Sequence, residues 1–147
     1  MTGREYERKL VSLLDDHGWA VMKSPSSGSG TARDQPDLLA GSMAVDMPPL
    51  AIEAKTTSKN AYTVESEEAD QLVSFAVRFG AVPVVAMYWK GPPGGNKSYG
   101  GWYFREVSEI RWSSAKRKDG MHNLRPRRED RTEWAQIEDL QEARLLP

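Results

Sequence analysis

The chain has 147 residues and a formal net charge of −1, with 39% hydrophobic and 28% charged residues, which is the balance of one globular domain. It has no cysteine and two histidines, which excludes disulfides, thiolate zinc sites and histidine-rich metal sites, so any metal would take oxygen ligands, as magnesium and manganese prefer. No apolar run approaches the roughly 18 residues that span a bilayer, and the charged amino terminus is not a signal peptide, so we expect a cytoplasmic protein without a membrane segment.

The first sixty residues predict one helix followed by three strands. Thr2 and Glu5 have the spacing of a capping box, the apolar residues after them recur at helical intervals, and Gly18 ends the helix. The Ser/Gly-rich stretch 26–33 predicts a flexible flap between the first two strands. Apolar stretches predict the strands at 19–23, 38–40 and 50–56.

The clearest helix of the sequence runs from about residue 66 to residue 79 and stops at Gly80. A mostly apolar strand at 83–89 follows, then a loop rich in Gly and Pro, and then a final strand at 102–104. This order of elements predicts a mixed α/β sheet with helices packed on it. The buried side of the helix is predicted to consist of Ala69, Leu72, Val73, Ala76 and Phe79.

A basic irregular segment separates the final strand from a predicted C-terminal helix. Between Arg111 and Arg131, eight Lys and Arg residues face three Asp and Glu residues, a local balance of +5. Such a segment is either a solvated loop or an arm that contacts phosphates. The helix is predicted from Thr132 to about Arg144, and its inward residues are Trp134, Ile137 and Leu140.

The third predicted strand places two ionisable side chains on one face. Side chains alternate along a strand, so Leu50, Ile52 and Ala54 share one side. Glu53 and Lys55 then share the other side, roughly 7 Å apart along the strand. Taken alone, this pair also fits an ordinary salt bridge on a solvent-exposed strand.

Asp37 lies at the entry to the preceding strand, directly after Pro36. If the two strands pair as a hairpin, Asp37 meets Glu53 at one end, and two such carboxylates repel unless a divalent cation lies between them. A lysine beside that cation orients the attacking water and stabilises developing negative charge. Asp37, Glu53 and Lys55 therefore predict metal-assisted phosphodiester hydrolysis, although an aspartate after proline is also common in turns.

Glu7 is the third candidate carboxylate. It borders the apolar side of the first helix, so it completes the metal shell if this helix crosses the strand ends. A surface glutamate paired with its neighbours is the alternative. In the first case, Arg8 or Lys23 would hold phosphate.

Pro36-Asp37 and Glu53-Ala54-Lys55 together match the signature of the PD-(D/E)XK nuclease superfamily, and the chain resembles an archaeal-type Holliday junction resolvase. The resemblance runs from about residue 5 to residue 107. Its further motifs, in order, are Glu7-Arg8, residues 18–21 leading to Ser24, the 27–29 loop, Ile52 before Glu53, residues 72–80 and Pro83-Val84. Lys23 departs from the family, which usually has an arginine there, and the residues after about 108 have no clear counterpart.

This resemblance implies a restriction-endonuclease-like fold, with a mixed central β-sheet flanked by helices. Independently of the resemblance, we expect the nuclease domain to cover residues 1–110, with the basic segment and C-terminal helix of residues 111–147 packed on the same domain. The resemblance also implies a homodimer that binds a four-way DNA junction and nicks two opposed strands, using magnesium, or manganese in its place. Such an enzyme works on DNA in the cytoplasm, with the nucleoid, or in the host cytoplasm if it is viral.

The resemblance also assigns roles to single residues. Asp37, Glu53 and Glu7 would be catalytic carboxylates and metal ligands, and Lys55 would help to activate water. Ser27 would belong to a mobile catalytic loop. Phe75 and Phe79 would lie at or near the dimer interface, although phenylalanines so spaced on a helix more often belong to the core, and periodicity does not separate the two. Together with the charge pattern, it gives these candidate DNA contacts: Arg8, Lys23, Ser29, Arg33, Lys116, Arg117 and Lys118.

Two other functions stay open from the residues alone. One is a nuclease of the same superfamily that acts on duplex or damaged DNA. The other is a non-catalytic DNA-binding module, which we would expect to have lost an acid or the lysine. A nucleotide-binding P-loop is excluded, because the stretch 28–31 lacks the Gly-Lys-Ser/Thr ending.

Overall fold

The structure is a computed structural model that describes residues 2–25, 35–91, 99–116 and 122–142, and of residues 114–116 the backbone alone. Five strands form one mixed sheet in sequence order. The third and fourth strands are parallel, and every other neighbouring pair is antiparallel. The strands are β1 (Ala20–Lys23), β2 (Leu38–Gly41), β3 (Leu50–Thr57), β4 (Val82–Trp89) and β5 (Trp102–Glu106).

Helix α1 (Gly3–Asp16) begins where the capping residues predict. The Thr2 hydroxyl accepts a hydrogen bond from the backbone N–H of Glu5 at 3.2 Å, which satisfies one of the free amides of the first turn. Helix α2 (Ser66–Phe79) connects the parallel strands β3 and β4, and Gly80 ends it with a φ of 89°. A residue with a side chain would be strained at that φ.

Successive residues of β3 point to opposite sides of the sheet, so both faces carry apolar side chains. Both faces are covered by packed elements. Helix α1 and a short helix α3 (Ile137–Gln141) pack on one face, and α2 with the C-terminal segment packs on the other. The first core includes Leu10, Leu14, Leu50, Ile52 and Leu140. The second includes Ala51, Leu72, Ala76, Trp89 and Trp134. The expected mixed sheet flanked by helices is confirmed.

The C-terminal third differs from the prediction. The segment expected to be irregular contains a two-stranded sheet of β6 (Trp112–Lys116) and β7 (His122–Leu124), so the strand at 102–104 is not the final one. The side-chain oxygen of Asn123 in β7 accepts a hydrogen bond from the backbone N–H of Ser66 at 2.9 Å and so caps α2. This long-range contact gives β7 a role that local sequence patterns do not reveal.

The last helix is also shorter than predicted. Residues Arg128–Glu133 form a 3-10 helix, and α3 starts only at Ile137, where the side chains of Gln136 and Asp139 make a reciprocal capping box. The prediction that Trp134, Ile137 and Leu140 are buried is confirmed. Phe79 does not belong to the buried side of α2, because it is 54% exposed. No helix in the described ranges is long and apolar enough to cross a membrane.

Candidate active site

The pairing of β2 with β3 brings Asp37 beside Glu53. Leu38 lies opposite Ile52 in this antiparallel pair, so the residue before Leu38 reaches the position of Glu53. One carboxylate oxygen of Asp37 accepts a hydrogen bond from the backbone N–H of Ala54 at 2.9 Å. Asp37 is thereby fixed to the strand that carries Glu53, and the hairpin expected from the sequence is confirmed.

Glu53 is held in a largely buried position with 13% of its side chain exposed. Burial raises the pKa of its carboxyl group to about 9, and the negative charge of Asp37 adds to this. Lys55 acts in the opposite direction, but its attraction does not outweigh burial and repulsion. Ionising Glu53 therefore costs free energy at this site, and a bound cation would relieve that cost.

Lys55 lies between two carboxylates. Its ammonium is 3.8 Å from Glu53 and forms an ion pair with Glu68 of α2, and it lies 5.8 Å from the ring centre of Tyr62. Burial lowers the pKa of this ammonium, but the hydrogen bond and charge of Glu68, with the charge of Glu53, raise it above its usual value. Lys55 is therefore a cation beside Glu53 of the Asp37–Glu53 pair.

Glu68 is a site residue that the sequence does not identify. It lies in the first turn of α2, thirteen residues after Lys55, and an acid there usually indicates only a favourable interaction with the helix dipole. The crossover from β3 to β4 turns α2 back over β3, and this packing brings Glu68 to Lys55. Only the tertiary structure therefore identifies Glu68 as a neighbour of Lys55.

Glu7 approaches Asp37 from α1. Burial raises the pKa of its carboxyl group, the charge of Asp37 raises it further, and Lys23 and Arg4 lower it. The ammonium of Lys23 lies 3.6 Å from Glu7, so the cation expected to hold phosphate is next to a candidate metal ligand. Glu7 therefore shares its electrostatic environment with Asp37.

The donor set consists of carboxylate oxygens, which are the ligands that magnesium and manganese prefer. Asp37 and Glu53 are adjacent, and Glu7 senses the charge of Asp37. As they stand, however, the described residues contain no group of three acidic, histidine or cysteine side chains close enough to hold a metal ion. The adjacent pair is accordingly the starting point of any metal site here, with Glu7 as the third candidate ligand.

The remaining predicted residues are spread over the molecule. Arg8 is exposed on α1, and the backbone of Lys116 ends β6. Phe75 is half-buried on α2, and its ring stacks on that of Phe79 with 5.6 Å between the ring centres. Five predicted residues lie outside the described ranges, namely Ser27, Ser29, Arg33, Arg117 and Lys118.

If Lys55 has the catalytic role that the resemblance implies, replacement of Glu68 by glutamine is expected to slow DNA cleavage about tenfold, the usual order for a group that supports such a residue. Loss of this partner lowers the pKa of Lys55, because burial is then opposed only by the charges of Glu53 and Tyr62. The alkaline limb of the pH–rate profile should therefore move to lower pH, since a neutral lysine no longer stabilises negative charge. Asp70→Asn, an exposed position on the same helix, is the matched control. An unshifted profile in Glu68→Gln would show that Glu68 does not act through Lys55.

This chain is similar to known proteins of one family. Residues 1–120 match the family model described as archaeal Holliday junction resolvase (Hjc). The crossover junction endodeoxyribonuclease Hjc of Methanocaldococcus jannaschii is 35% identical over 89 residues, which are 60% of this chain and 60% of the relative. The crossover junction endodeoxyribonuclease of Sulfolobus islandicus rod-shaped virus 1 is 33% identical over 92 residues, 60% of this chain and 73% of the relative.

The fold comparison extends over nearly the whole chain. The solved structure of Archaeoglobus fulgidus Hjc, a Holliday junction resolvase, matches with a TM-score of 0.73 and 25% identity. The match covers 95% of this chain and 99% of that protein. The sequence matches to the curated relatives are shorter, and that to the Methanocaldococcus protein spans less than two thirds of its length.

Proposed function

Because this chain belongs to the archaeal Holliday junction resolvase (Hjc) family, we propose that it is a structure-selective endodeoxyribonuclease that resolves four-way DNA junctions by paired symmetrical nicks. The observation that carries the proposal is the meeting of Asp37, Glu53 and Lys55 at one end of the β2–β3 hairpin. A binding module would not need to keep a partly buried, mutually repelling carboxylate pair, which costs stability.

The reaction would use magnesium, or manganese in its place, held by Asp37 and Glu53 with Glu7 as the third carboxylate. The support is the chemistry of the donors: all are carboxylate oxygens, and burial and the charge of Asp37 raise the pKa values of Glu53 and Glu7. When bound, such a cation supplies positive charge against the phosphate oxygens.

The protein's own residues would then orient the attacking water and stabilise the developing negative charge. Lys55, kept charged by Glu68, would position the attacking water and stabilise the negative charge that develops on the phosphorus oxygens. Attack of the water oxygen on phosphorus breaks the bond to the 3′ oxygen, which takes up a proton. The products would be a 5′-phosphate and a 3′-hydroxyl.

The enzyme would act as a homodimer, because paired nicks on opposed strands require two active sites. The support is the ring pair of Phe75 and Phe79, whose outer member is 54% exposed. Stacked apolar rings at the surface are the kind of group that protein interfaces bury. Arg8 on α1 and the basic segment around 116–118 would contact the arms of the junction.

The double change Phe75→Ala with Phe79→Ala is expected to weaken the dimer at least about tenfold, because both rings would leave the interface. Sedimentation measures the mass of the particle as the protein is diluted. Val77→Ala is the matched control, since Val77 is 73% exposed and lies on the opposite side of the same helix. An unchanged mass in the double variant, or the same effect from Val77→Ala, would remove the two rings from the interface.

Substrate choice tests the proposed function directly. Protein and magnesium are incubated with labelled four-way, forked and plain duplex DNA of the same sequence, with a parallel series in chelator. We expect symmetrical paired nicks confined to the four-way junction and no cleavage in chelator. Equal cutting of plain duplex would favour a duplex-acting nuclease of the same superfamily, and binding without cutting would favour the non-catalytic module.

A further inference from the structure

The segment 124–131 is fixed beside the loop that leaves the catalytic strand β3. The backbone N–H of Tyr62 donates to the carbonyl of Pro126 at 3.0 Å, and that of Arg128 donates to the carbonyl of Asn60 at 2.7 Å. Asn60 follows Lys55 by five residues, so their Cα atoms are at most about 17 Å apart. The basic segment is therefore held close to the active site.

A cavity of about 330 Å³ lies between these two segments. Three arginines and one glutamate contribute charged side chains to its wall, so the lining is positive. The lining residues are Asn60, Ala61, Arg127, Arg128, Glu129 and Arg131. We name this the arginine cavity.

The guanidinium groups of the arginine cavity are held in place by contacts that do not neutralise them. Those of Arg128 and Arg131 lie 4.1 Å and 5.5 Å from the ring centre of Tyr99. The Nη1 of Arg131 also donates to the carbonyl of Arg128 at 3.0 Å. An aromatic ring orients a guanidinium through its face and leaves the N–H edge for an anion.

Arg127 supplies a second, independent sign of a missing anion. Its Nε is buried and has no hydrogen-bond partner among the residues that the structure describes. A buried donor without a partner costs free energy, and a ligand that accepts from it recovers that cost.

The neighbouring Arg111 shows the opposite situation. Its guanidinium makes two contacts with the carboxylate of Asp130, at 3.0 Å and 3.1 Å. Arg111 lies outside the segment 124–131 but contacts it through Asp130, and it is neutralised within the protein, so it offers a control for the arginine cavity.

We propose that the arginine cavity binds one backbone phosphate of the DNA arm that leaves the active site. A guanidinium fork matches the oxygens of a phosphate, and contacts of this kind fix the register of DNA on a protein without reading its sequence. Since base pairs rise about 3.4 Å, the reach from Lys55 corresponds to a phosphate within about five base pairs of the scissile bond. The DNA ligand rests on the proposed function.

Salt-dependent binding tests the site. The dissociation constant for a four-way junction is measured without divalent metal across a salt series for wild type, Arg128→Gln, the double variant Arg127→Gln with Arg128→Gln, and Arg111→Gln. We expect about tenfold weaker binding for the double variant and a smaller loss for the single one. The salt slope of the double variant should be shallower by about one, because one phosphate contact contributes about 0.9.

The control and the folding check separate this site from general charge effects. Arg111→Gln should change the dissociation constant less than about twofold, and thermal unfolding should show that each variant is folded. Unchanged affinity and slope in both cavity variants, or an equal loss in Arg111→Gln, overturns the proposal. Cavity-dependent binding of inorganic phosphate with unchanged DNA affinity also overturns it and leaves a small-anion site only.

Neutral methylphosphonates placed singly along the arms locate the contact. One position within about five base pairs of the nick should weaken binding to wild type and have no further effect on the double variant. If the wild type does not cut junctions yet shows this arginine-dependent contact, the proposed function fails and the arginine cavity stands. If the wild type cuts junctions and no methylphosphonate position depends on the arginines, the proposed function stands and the arginine cavity fails as a phosphate site.

Discussion

The variant Asp37→Asn is expected to lose DNA cleavage by a factor on the order of 10³ while it keeps the affinity for a four-way junction within about threefold. Asparagine preserves the shape of the side chain and the oxygen that accepts from the backbone N–H of Ala54. Only the negative charge beside Glu53 is removed, and with it one of the two adjacent oxygen donors proposed to hold a divalent cation. Single-turnover cleavage and a binding titration in chelator measure the two effects separately.

Asp46→Asn is the matched control for this experiment. Asp46 lies in the connection between β2 and β3, so it belongs to the same hairpin as Asp37. It is exposed, and it lies outside the paired residues that bring Asp37 opposite Glu53. We expect wild-type cleavage from this variant. Cleavage by Asp37→Asn within about tenfold of the wild-type rate would mean that the reaction does not depend on the Asp37–Glu53 pair.

The variant Glu53→Gln is expected to lose activity to a similar degree and at the same time to stabilise the metal-free protein. Burial and the charge of Asp37 raise the pKa of Glu53 to about 9, so ionising this carboxyl group costs free energy in the folded state. Glutamine removes that cost but keeps the volume and one acceptor oxygen. At pH 7.5 we expect a gain of roughly 1–3 kcal/mol, or about 3–9 °C in Tm.

The pH dependence gives this prediction a specific sign. A carboxyl group whose pKa is raised by folding favours the folded state below its unfolded pKa and loses that contribution as the pH rises through the folded pKa. The gain of Glu53→Gln should therefore be near zero at pH 4 and should increase up to about pH 9. Glu138→Gln, an exposed position on α3, should give no such trend. Wild type and Glu53→Gln with equal Tm at pH 9 would contradict the raised pKa.

Magnesium should raise the Tm of the wild type more than that of Glu53→Gln. A cation that binds the folded wild type raises its Tm by mass action, whereas Glu53→Gln has lost one ligand and should respond less. The two melting curves should therefore approach each other as magnesium is added. This readout is independent of cleavage, and identical magnesium responses would argue against Glu53 as a ligand.

Helix ends that depend on a few neighbouring residues could be predicted from the sequence, and those that depend on packing could not. The cap at Thr2 and the stop at Gly80 could be predicted because each depends on a few neighbouring residues. The start of the last helix could not, because residues 128–133 form a 3-10 helix before the capping box at Gln136. The helical pattern of Trp134, Ile137 and Leu140 correctly predicted their burial, although Trp134 lies in extended backbone between the 3-10 helix and α3.

The sequence by itself predicted strand β3, its alternation and, if β2 and β3 pair as a hairpin, the meeting of Asp37 with Glu53, because a two-residue period and a hairpin leave little freedom in register. It also determined the family, through motifs that follow one another in order. Only the tertiary structure decided that Glu68 meets Lys55, that Asn123 caps α2, and that three arginines surround one cavity. Those contacts join elements 13 to 71 residues apart, and their geometry depends on how helices and loops pack on the sheet, which no local pattern specifies.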